Sequence, residues 1–209
     1  MGKTRLTREA RREAILDAAT EVFGRLGFEA TRMEDVAKAA GIAKGLLYKH
    51  FSSKDALFQA LIDRQGATYA AELRGALADS DLDADPFGTL REGLAFWLRK
   101  VEDEAATFNV TDPGVHNAYD GLRDSLREVI ADAIRRSQPW VTEPYPRLIA
   151  SLVQGAAESL GLVWRAEPGE VGADDALGLL TAFCWGGLIE LARGSSAVVG
   201  PPPAAGDTP

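Results

Sequence analysis

Along almost the whole chain, apolar residues return every three or four positions, and no stretch alternates apolar with polar residues convincingly. A period of 3.6 builds one apolar stripe on a helix, whereas a half-buried strand needs a period of two. The expectation is therefore an all-α protein of about nine helices.

The stripes and their punctuation set the boundaries. A first helix is predicted from about Arg8 to Arg25, with Ile15, Ala18, Ala19, Val22 and Leu26 on one stripe and Gly27 as its stop. The run TRME then fits a capping box in which Thr31 accepts from the backbone and Glu34 reaches back. Met33, Val36, Ala37 and Ala40 face inward, Gly41 breaks this second helix, and a third runs from about Ala43 to Lys49. Ser53 caps a fourth that continues to about Leu77 through Leu57, Phe58, Leu61 and Ile62. After the acidic loop at 78–86, Pro86 suits a helix's first turn, with a stripe of Phe87, Leu90, Leu94, Trp97 and Val101. A short helix and a loop are expected over 103–113. Asp112-Pro113 then opens a helix striped by Tyr119, Leu122, Leu126, Val129 and Ala133. Two last helices are expected at about 146–165 and 173–193, and the proline-rich end reads as a disordered tail.

Charge divides the chain. Its formal net charge is −8, yet residues 1–54 hold 11 Lys and Arg against 7 Asp and Glu. Of the chain's 23 basic and 31 acidic residues, the remainder holds 12 and 24. Such asymmetry suggests a basic module that meets phosphate, carried on an acidic body that does not.

The stretch AGIAKGLLYKHF, residues 40–51, gives that module a shape. Two short helices joined by a glycine turn, the second bearing a polar cluster, describe a helix-turn-helix. Gly41 permits the positive torsion of the turn, and Ile42 and Leu47 plug the small core. Ala43, Lys44, Gly45, Leu46, Tyr48 and Lys49 stay on the outer side. Gly45 lets the backbone approach a groove wall, and Lys44 can reach guanine edges or phosphate. Tyr48, Lys49 and His50 suit phosphate contact, and Lys54 lies at the next helix's start, where free N–H groups attract anions. Lys3, Arg5, Arg8, Arg11 and Arg12 either extend that footprint or form a solvated end.

Residues 9–64 resemble the tetracycline-repressor (TetR) family of bacterial transcription regulators. Thr31, Val36-Ala37 and Ala40-Gly41-Ile42, then Gly45, Tyr48, His50-Phe51, Lys54 and Leu57, follow the family pattern in register. The resemblance implies a DNA-binding head of three helices on an all-helical regulatory body that dimerises. By the same resemblance Thr31, Lys44, Gly45, Leu46, Tyr48, Lys49, His50 and Lys54 match the usual DNA-contact positions. Arg32, beside Thr31, joins the expected set. Ala43 departs from the common serine, which removes one hydroxyl there. The expected division is a DNA-binding domain at 9–69, with the helix-turn-helix at about 32–51. A ligand-binding and dimerisation domain follows at 70–194, then the tail at 195–209.

The last two helices are apolar nearly all round, and surplus apolar faces imply a second burial surface. Leu152, Ala156, Leu160, Phe183, Gly187 and Leu188 are the expected homodimer contacts, with glycines allowing close helix approach. Phe87, Leu94, Trp97, Val101, Phe108, His116, Tyr119 and Trp164 are the expected lining of a pocket for a small apolar or aromatic effector. The alternative is a DNA-binding regulator with no small-molecule effector, constitutive or controlled by a protein partner. Asp112, His116, Asp120 and Asp124 recur every four residues, but a cap and a solvated face explain them better than a metal. No cofactor is expected. The two histidines fall in different modules and no nucleophile–base pair occurs, so enzyme chemistry is not expected. Cys184, in the run LLTAFCWGGL, reads as a buried, inert thiol. No apolar run is long enough to cross a bilayer and the start lacks a signal-peptide core, so a cytoplasmic location is expected.

Overall fold

A glycine in the left-handed region shapes the first of eight helices in the computed structural model, which describes residues 7–79, 84–104, 118–166, 169 and 171–193. Helix α1 spans Arg8–Ala30, and the Thr7 hydroxyl caps it by accepting from the Ala10 N–H at 3.1 Å. Gly27 has φ +76° and ψ 168°, so the helix breaks there as expected. One further short turn follows before Thr31. That break rotates the neighbouring residues, and Leu26 ends 40% exposed rather than on the buried stripe.

Helix α2 spans Met33–Ala39 and α3 spans Lys44–His50. The turn between them uses Gly41 at φ +64°, and the Ile42 N–H donates to the Ala37 carbonyl at 3.0 Å. This left-handed glycine closing a helix end is the reason the short α2 stops where it does. Helix α4 spans Lys54–Asp79, its start capped by Ser53 Oγ, which accepts from the Ala56 N–H at 3.0 Å. Ile15, Leu16, Ala19, Val22, Phe23, Val36, Leu47, Leu57, Leu61 and Ile62 are all buried. Phe23, Phe28 and Phe58 pack ring against ring in the same core, with centroids 4.9–6.0 Å apart. Ile42 is only half-buried, so Leu47 is the plug that α3 contributes.

The chain divides into two compact units. Of the described residues, the first holds those up to Thr68 together with 103–104 and 118–123; the second holds those of Tyr69–Glu102 together with those from Asp124 onward. A contiguous division at 69 and 70 does not anticipate that 118–123 cluster with the N-terminal helices. There Tyr119 packs edge-on against Phe58 at 6.4 Å, and Gln59 donates to the Ala118 carbonyl at 3.1 Å.

The second unit is built from the end of α4 with α5 (Pro86–Glu104), most of α6 (Asp120–Ser137), α7 (Tyr145–Ala166) and α8 (Ala173–Ala192). Pro86 is indeed the first residue of α5, and Asp85 caps it by accepting from the Gly88 N–H at 2.8 Å. Leu94, Leu98, Val141, Ile149, Val153, Ala157, Leu177, Leu180 and Cys184 form its buried core. Burial pushes the Cys184 thiol above its ordinary range, which fits an inert packing role. The short helix expected within 103–113, the expected helix start at Asp112-Pro113, and the tail at 195–209 fall on or beyond the edge of the described residues. Among the described residues there is no strand, and no helix is long and apolar enough to cross a membrane.

Candidate functional site

Helix α3 turns Leu47 into the core and leaves Lys44, Gly45, Tyr48 and Lys49 exposed, with Leu46 and His50 half-buried. The seven-residue helix thus shows one apolar anchor to the protein and a polar face to solvent. A Cβ added at Gly45 would meet no protein atom within 4 Å. No packing contact of the described residues requires glycine there. The Lys44 ammonium donates to the Glu34 carboxylate of α2 and lies 5.8 Å from the Tyr48 ring centre. That hydrogen bond holds the Glu34 carboxyl below, and the Lys44 ammonium above, its ordinary range.

At the other end of α3, the arginines of α1 gather. Arg12 stacks its guanidinium 4.5 Å from the Phe51 ring centre. His50 titrates below the ordinary histidine value because of burial first, and then because Arg8, Arg11 and Arg12 all disfavour a further positive charge. Four nitrogen-bearing side chains thus converge on one corner of the head. A free protein keeps them apart by solvent and geometry, and a polyanion would neutralise them together. Lys3 and Arg5 lie outside the described residues.

Two expected contacts have other duties. The Thr31 side chain is 2% exposed, and its hydroxyl donates to the Gly27 carbonyl at 2.7 Å. The N-cap residue of α2 is Arg32, whose N–H donates to Asp35 Oδ2 at 3.0 Å. The reaching-back half of the box therefore sits one position later than the run TRME suggests, and the Arg32 side chain, which has no acceptor, supplies no cap of its own. Asp35 takes the reaching-back role, and Glu34 points outward to meet Lys44. Thr31 has almost no surface to offer a phosphate and instead closes the break at Gly27, while Arg32 is exposed.

Lys54 is similarly committed. Its ammonium donates to the Phe28 carbonyl at 2.7 Å and the Glu29 carbonyl at 3.1 Å, and lies 4.3 Å from the Phe28 ring centre. It satisfies carbonyls left open at the end of α1, a cation at a negative helix terminus.

The second unit contains a cavity of about 250 Å³. Its wall is built by Leu73 and Leu77 of α4, Leu90, Leu94, Phe96 and Trp97 of α5, Leu126, Ile130 and Ile134 of α6, Val153, Gln154 and Ala157 of α7, and Trp185 and Leu188 of α8, with Trp140 and Val141 between α6 and α7. Of the eight residues expected there, Leu94 and Trp97 line it. Phe87 does not: it is exposed and packs edge-on against Trp185 at 5.4 Å. Tyr119 belongs to the first unit. Trp164 is held by its own loop, its Nε1–H donating to the Val171 carbonyl at 2.9 Å. The Val101 side chain, Phe108 and His116 lie outside the described residues.

Aromatic content misled the reading of the lining. The better signal was the α6 row Leu126, Ile130 and Ile134, together with one glutamine in the apolar run of α7.

Outside that cavity, α7 and α8 expose a different apolar set. Leu152 and Phe183 are each 71% exposed, and Leu148, Leu162, Val163 and Leu179 are also exposed. A Cβ at Gly155, Gly178, Gly186 or Gly187 would meet nothing within 4 Å. Ala156, Leu160 and Leu188 are not part of this exposed set. They pack on the unit's own core, and Leu188 lines the cavity.

The acidic row of α6 is spoken for by arginines one turn on, Asp120 by Arg123 at 3.5 Å and Asp124 by Arg127. No group of three metal-ligating side chains occurs among the described residues.

Comparison with known proteins gives these features a context. Residues 15–61 match the family model described as bacterial regulatory proteins, tetR family. The crystal structure of a TetR-like transcriptional regulator from Rhodococcus sp. RHA1 is 32% identical, with a TM-score of 0.59 covering 88% of this chain and 99% of that one. The transcriptional activator FasR of Mycolicibacterium smegmatis is 28% identical over 191 residues, 88% of this chain and 85% of that protein. FadR of Bacillus subtilis, solved in complex with stearoyl-CoA, is 16% identical at a TM-score of 0.58 and covers 83% of this chain and 95% of that one; it shares the fold.

Proposed function

The chain belongs to the TetR family of bacterial transcription regulators and binds DNA through its N-terminal helix-turn-helix, and from that premise we propose that it is a homodimeric repressor released from a palindromic operator by a small apolar or aromatic molecule. DNA contact is assigned to the expected 9–69, and the effector and the second protomer to the expected 70–194 apart from 118–123, which cluster with the N-terminal helices. The chain does its work where the DNA is, in the cytoplasm.

The observation that carries the effector reading is the cavity of about 250 Å³ in the second unit. A packed unit seldom leaves so large a partly open apolar recess, walled by buried leucines and half-buried tryptophans, and such a recess is the usual form of a ligand site. It falls just under the roughly 300–1,000 Å³ of drug-sized sites, which suits a small ligand. A fold neighbour that binds stearoyl-CoA, an acyl chain on a polar carrier, is in keeping with an apolar effector.

DNA contact is assigned to Arg32, Lys44, Gly45, Leu46, Tyr48, Lys49 and His50, with Arg8, Arg11 and Arg12 on phosphates beside them. Thr31 and Lys54 hold the head's frame. The dimer is assigned to the exposed faces of α7 and α8 through Leu148, Leu152, Leu179, Phe183 and Gly187, because a patch of exposed large apolar residues at helical spacing calls for a partner. A two-fold dimer sets two recognition helices on one DNA face.

Selection of bound duplexes from a random library by the full-length chain tests this directly. The enriched sequences should be approximate palindromes with half-site centres about 34–36 Å apart. Enrichment of a single unpaired half-site, or none, would overturn the assignment. Activation is the second reading, favoured by the name of the M. smegmatis relative. A reporter driven from the selected operator separates the two: deleting the gene raises expression under repression and lowers it under activation.

A further inference from the structure

Among the described residues, the cavity wall contains no Asp, Glu, Lys or Arg. Arg127 of α6 is not among the lining residues; its Nη1 is engaged by Asp124, and its buried Nε has no partner. A charged ligand group seated there would lose its hydration with no counter-ion to replace it. Most polar groups in the wall are already satisfied. The Thr89 hydroxyl donates to the Asp85 carbonyl at 3.0 Å, and the Ser137 hydroxyl donates to the Ala133 carbonyl at 2.9 Å. The Gln138 side-chain oxygen accepts from the Trp140 indole N–H at 2.8 Å.

Two atoms are different. The Trp97 indole Nε1 and the Gln154 Oε1 are both buried without a hydrogen-bond partner. Gln154 is only 5% exposed, and its amide NH₂ donates to Glu158 Oε1 at 3.1 Å. That donation settles which end of the amide is which: a carboxylate accepts, so the NH₂ group must face it and the oxygen is the end left over. One unpaired donor and one unpaired acceptor therefore stand in a mostly apolar wall whose other polar side chains named above already have partners. Native structures rarely leave buried polar atoms unpaired, and those that do call for a ligand or another specific reason.

Resting on the assignment of this cavity as the effector site, we propose that its ligand is electrically neutral, with an apolar body and a hydroxyl-type group that accepts from the Trp97 indole N–H and donates to Gln154 Oε1. A phenol or alcohol carries both functions on one atom. An ether lacks the donor. A carboxylate lacks the donor and brings an uncompensated charge.

Calorimetric titration of the full-length protein with three matched probes at neutral pH tests this: para-butylphenol, para-butylanisole and para-butylbenzoate. The phenol should bind about tenfold tighter than the anisole, one buried hydrogen bond's worth, and tighter still than the ionised benzoate. Gln154→Leu should erase the phenol's advantage over the anisole and leave the anisole's own affinity in place. Trp97→Phe should weaken phenol and anisole alike, because both accept from the indole. If Gln154→Leu loses its cooperative unfolding transition, Gln154→Met carries the same comparison. Benzoate binding as tightly as the phenol overturns the proposal, and so does a phenol preference that survives in the Gln154 variant. Binding of all three without preference overturns the proposal and leaves the effector site standing, whereas binding of none sinks the effector site and the proposal with it.

Discussion

Across ten positions of chain, Lys44 at the first residue of α3 donates to the carboxylate of Glu34 in the first turn of α2. Both side chains are more than half exposed, so the pair adds little to stability and DNA phosphate can displace the carboxylate. Glu34→Gln removes that competitor and should raise duplex affinity roughly two- to fivefold. Lys44→Ala should weaken binding and lower the log–log salt slope by about 0.9 if the contact is to phosphate. Anisotropy titrations over a salt series measure both; unchanged affinity in the Glu34 variant would mean the pair does not compete with DNA.

Gly45 separates folding from recognition. An alanine there meets no protein atom within 4 Å and suits a helix better than glycine. Gly45→Ala should leave thermal stability unchanged or raise it by up to about 1 kcal/mol, while operator affinity falls at least tenfold. A variant that binds at full strength would place the groove wall farther from α3 than assigned here.

Lys54 makes the opposite case. Its two bonds to the end of α1 are charge-assisted, the one to Phe28 part-buried and the one to Glu29 exposed. Lys54→Ala should cost about 1.5–3 kcal/mol in urea unfolding, larger than the effect of Lys49→Ala. Its loss of DNA binding should then shrink on cooling to a temperature where the variant is fully folded. A binding defect that persists in the fully folded variant would return Lys54 to the list of direct contacts.

His50 predicts a pH dependence of stability. Its folded-state value lies below the ordinary histidine value near 6.5. The unfolded chain therefore binds the proton more readily, and the folded head loses stability as pH falls through 6.5, levelling off once the folded group is itself protonated. Urea midpoints measured from pH 8 to about pH 5 should show this slope, and His50→Gln should flatten it. DNA phosphate favours the protonated ring, so operator affinity should rise over the same acid range and this gain too should vanish in the variant.

Leu152 and Phe183 distinguish an interface from a core. Each is 71% exposed, so Leu152→Glu or Phe183→Glu should leave the monomer folded, with a stability change within about 0.5 kcal/mol. Both should sediment as monomers at micromolar concentration. Leu188→Glu should instead disrupt folding, because Leu188 lines the cavity. A Phe183→Glu protein that remains dimeric would remove α8 from the interface.

What was legible in the sequence was whatever a single helix decides for itself. Ser53 and Pro86 mark helix starts by local chemistry, Gly27 and Gly41 mark breaks by their torsions, and Leu47 reads as an anchor because α3 has one apolar side. The misreadings concern choices between neighbours. Thr31 and Arg32 both precede an acidic pair, and only the fold shows that the Thr31 hydroxyl goes back to Gly27, moving the cap by one. Lys54 looks free until the end of α1 is brought to it from 25 residues away. In the second unit α7 and α8 carry apolar residues on several faces, and periodicity cannot say which face meets the unit's own core. Leu188 went inward and Phe183 outward for reasons that lie on other helices.

The unpaired indole and amide oxygen also bear on how this sequence would evolve in the laboratory. Each is a standing cost to the folded state, of about 1–3 kcal/mol, that replacement by an apolar side chain of similar shape would remove. A screen for heat resistance alone would thus be drawn to Trp97→Phe, Gln154→Leu and bulkier residues at positions such as Ala157 or Gly93, which border the same space. If the proposed effector site is right, the survivors would be sturdier and deaf: still able to hold DNA, no longer able to bind the proposed effector.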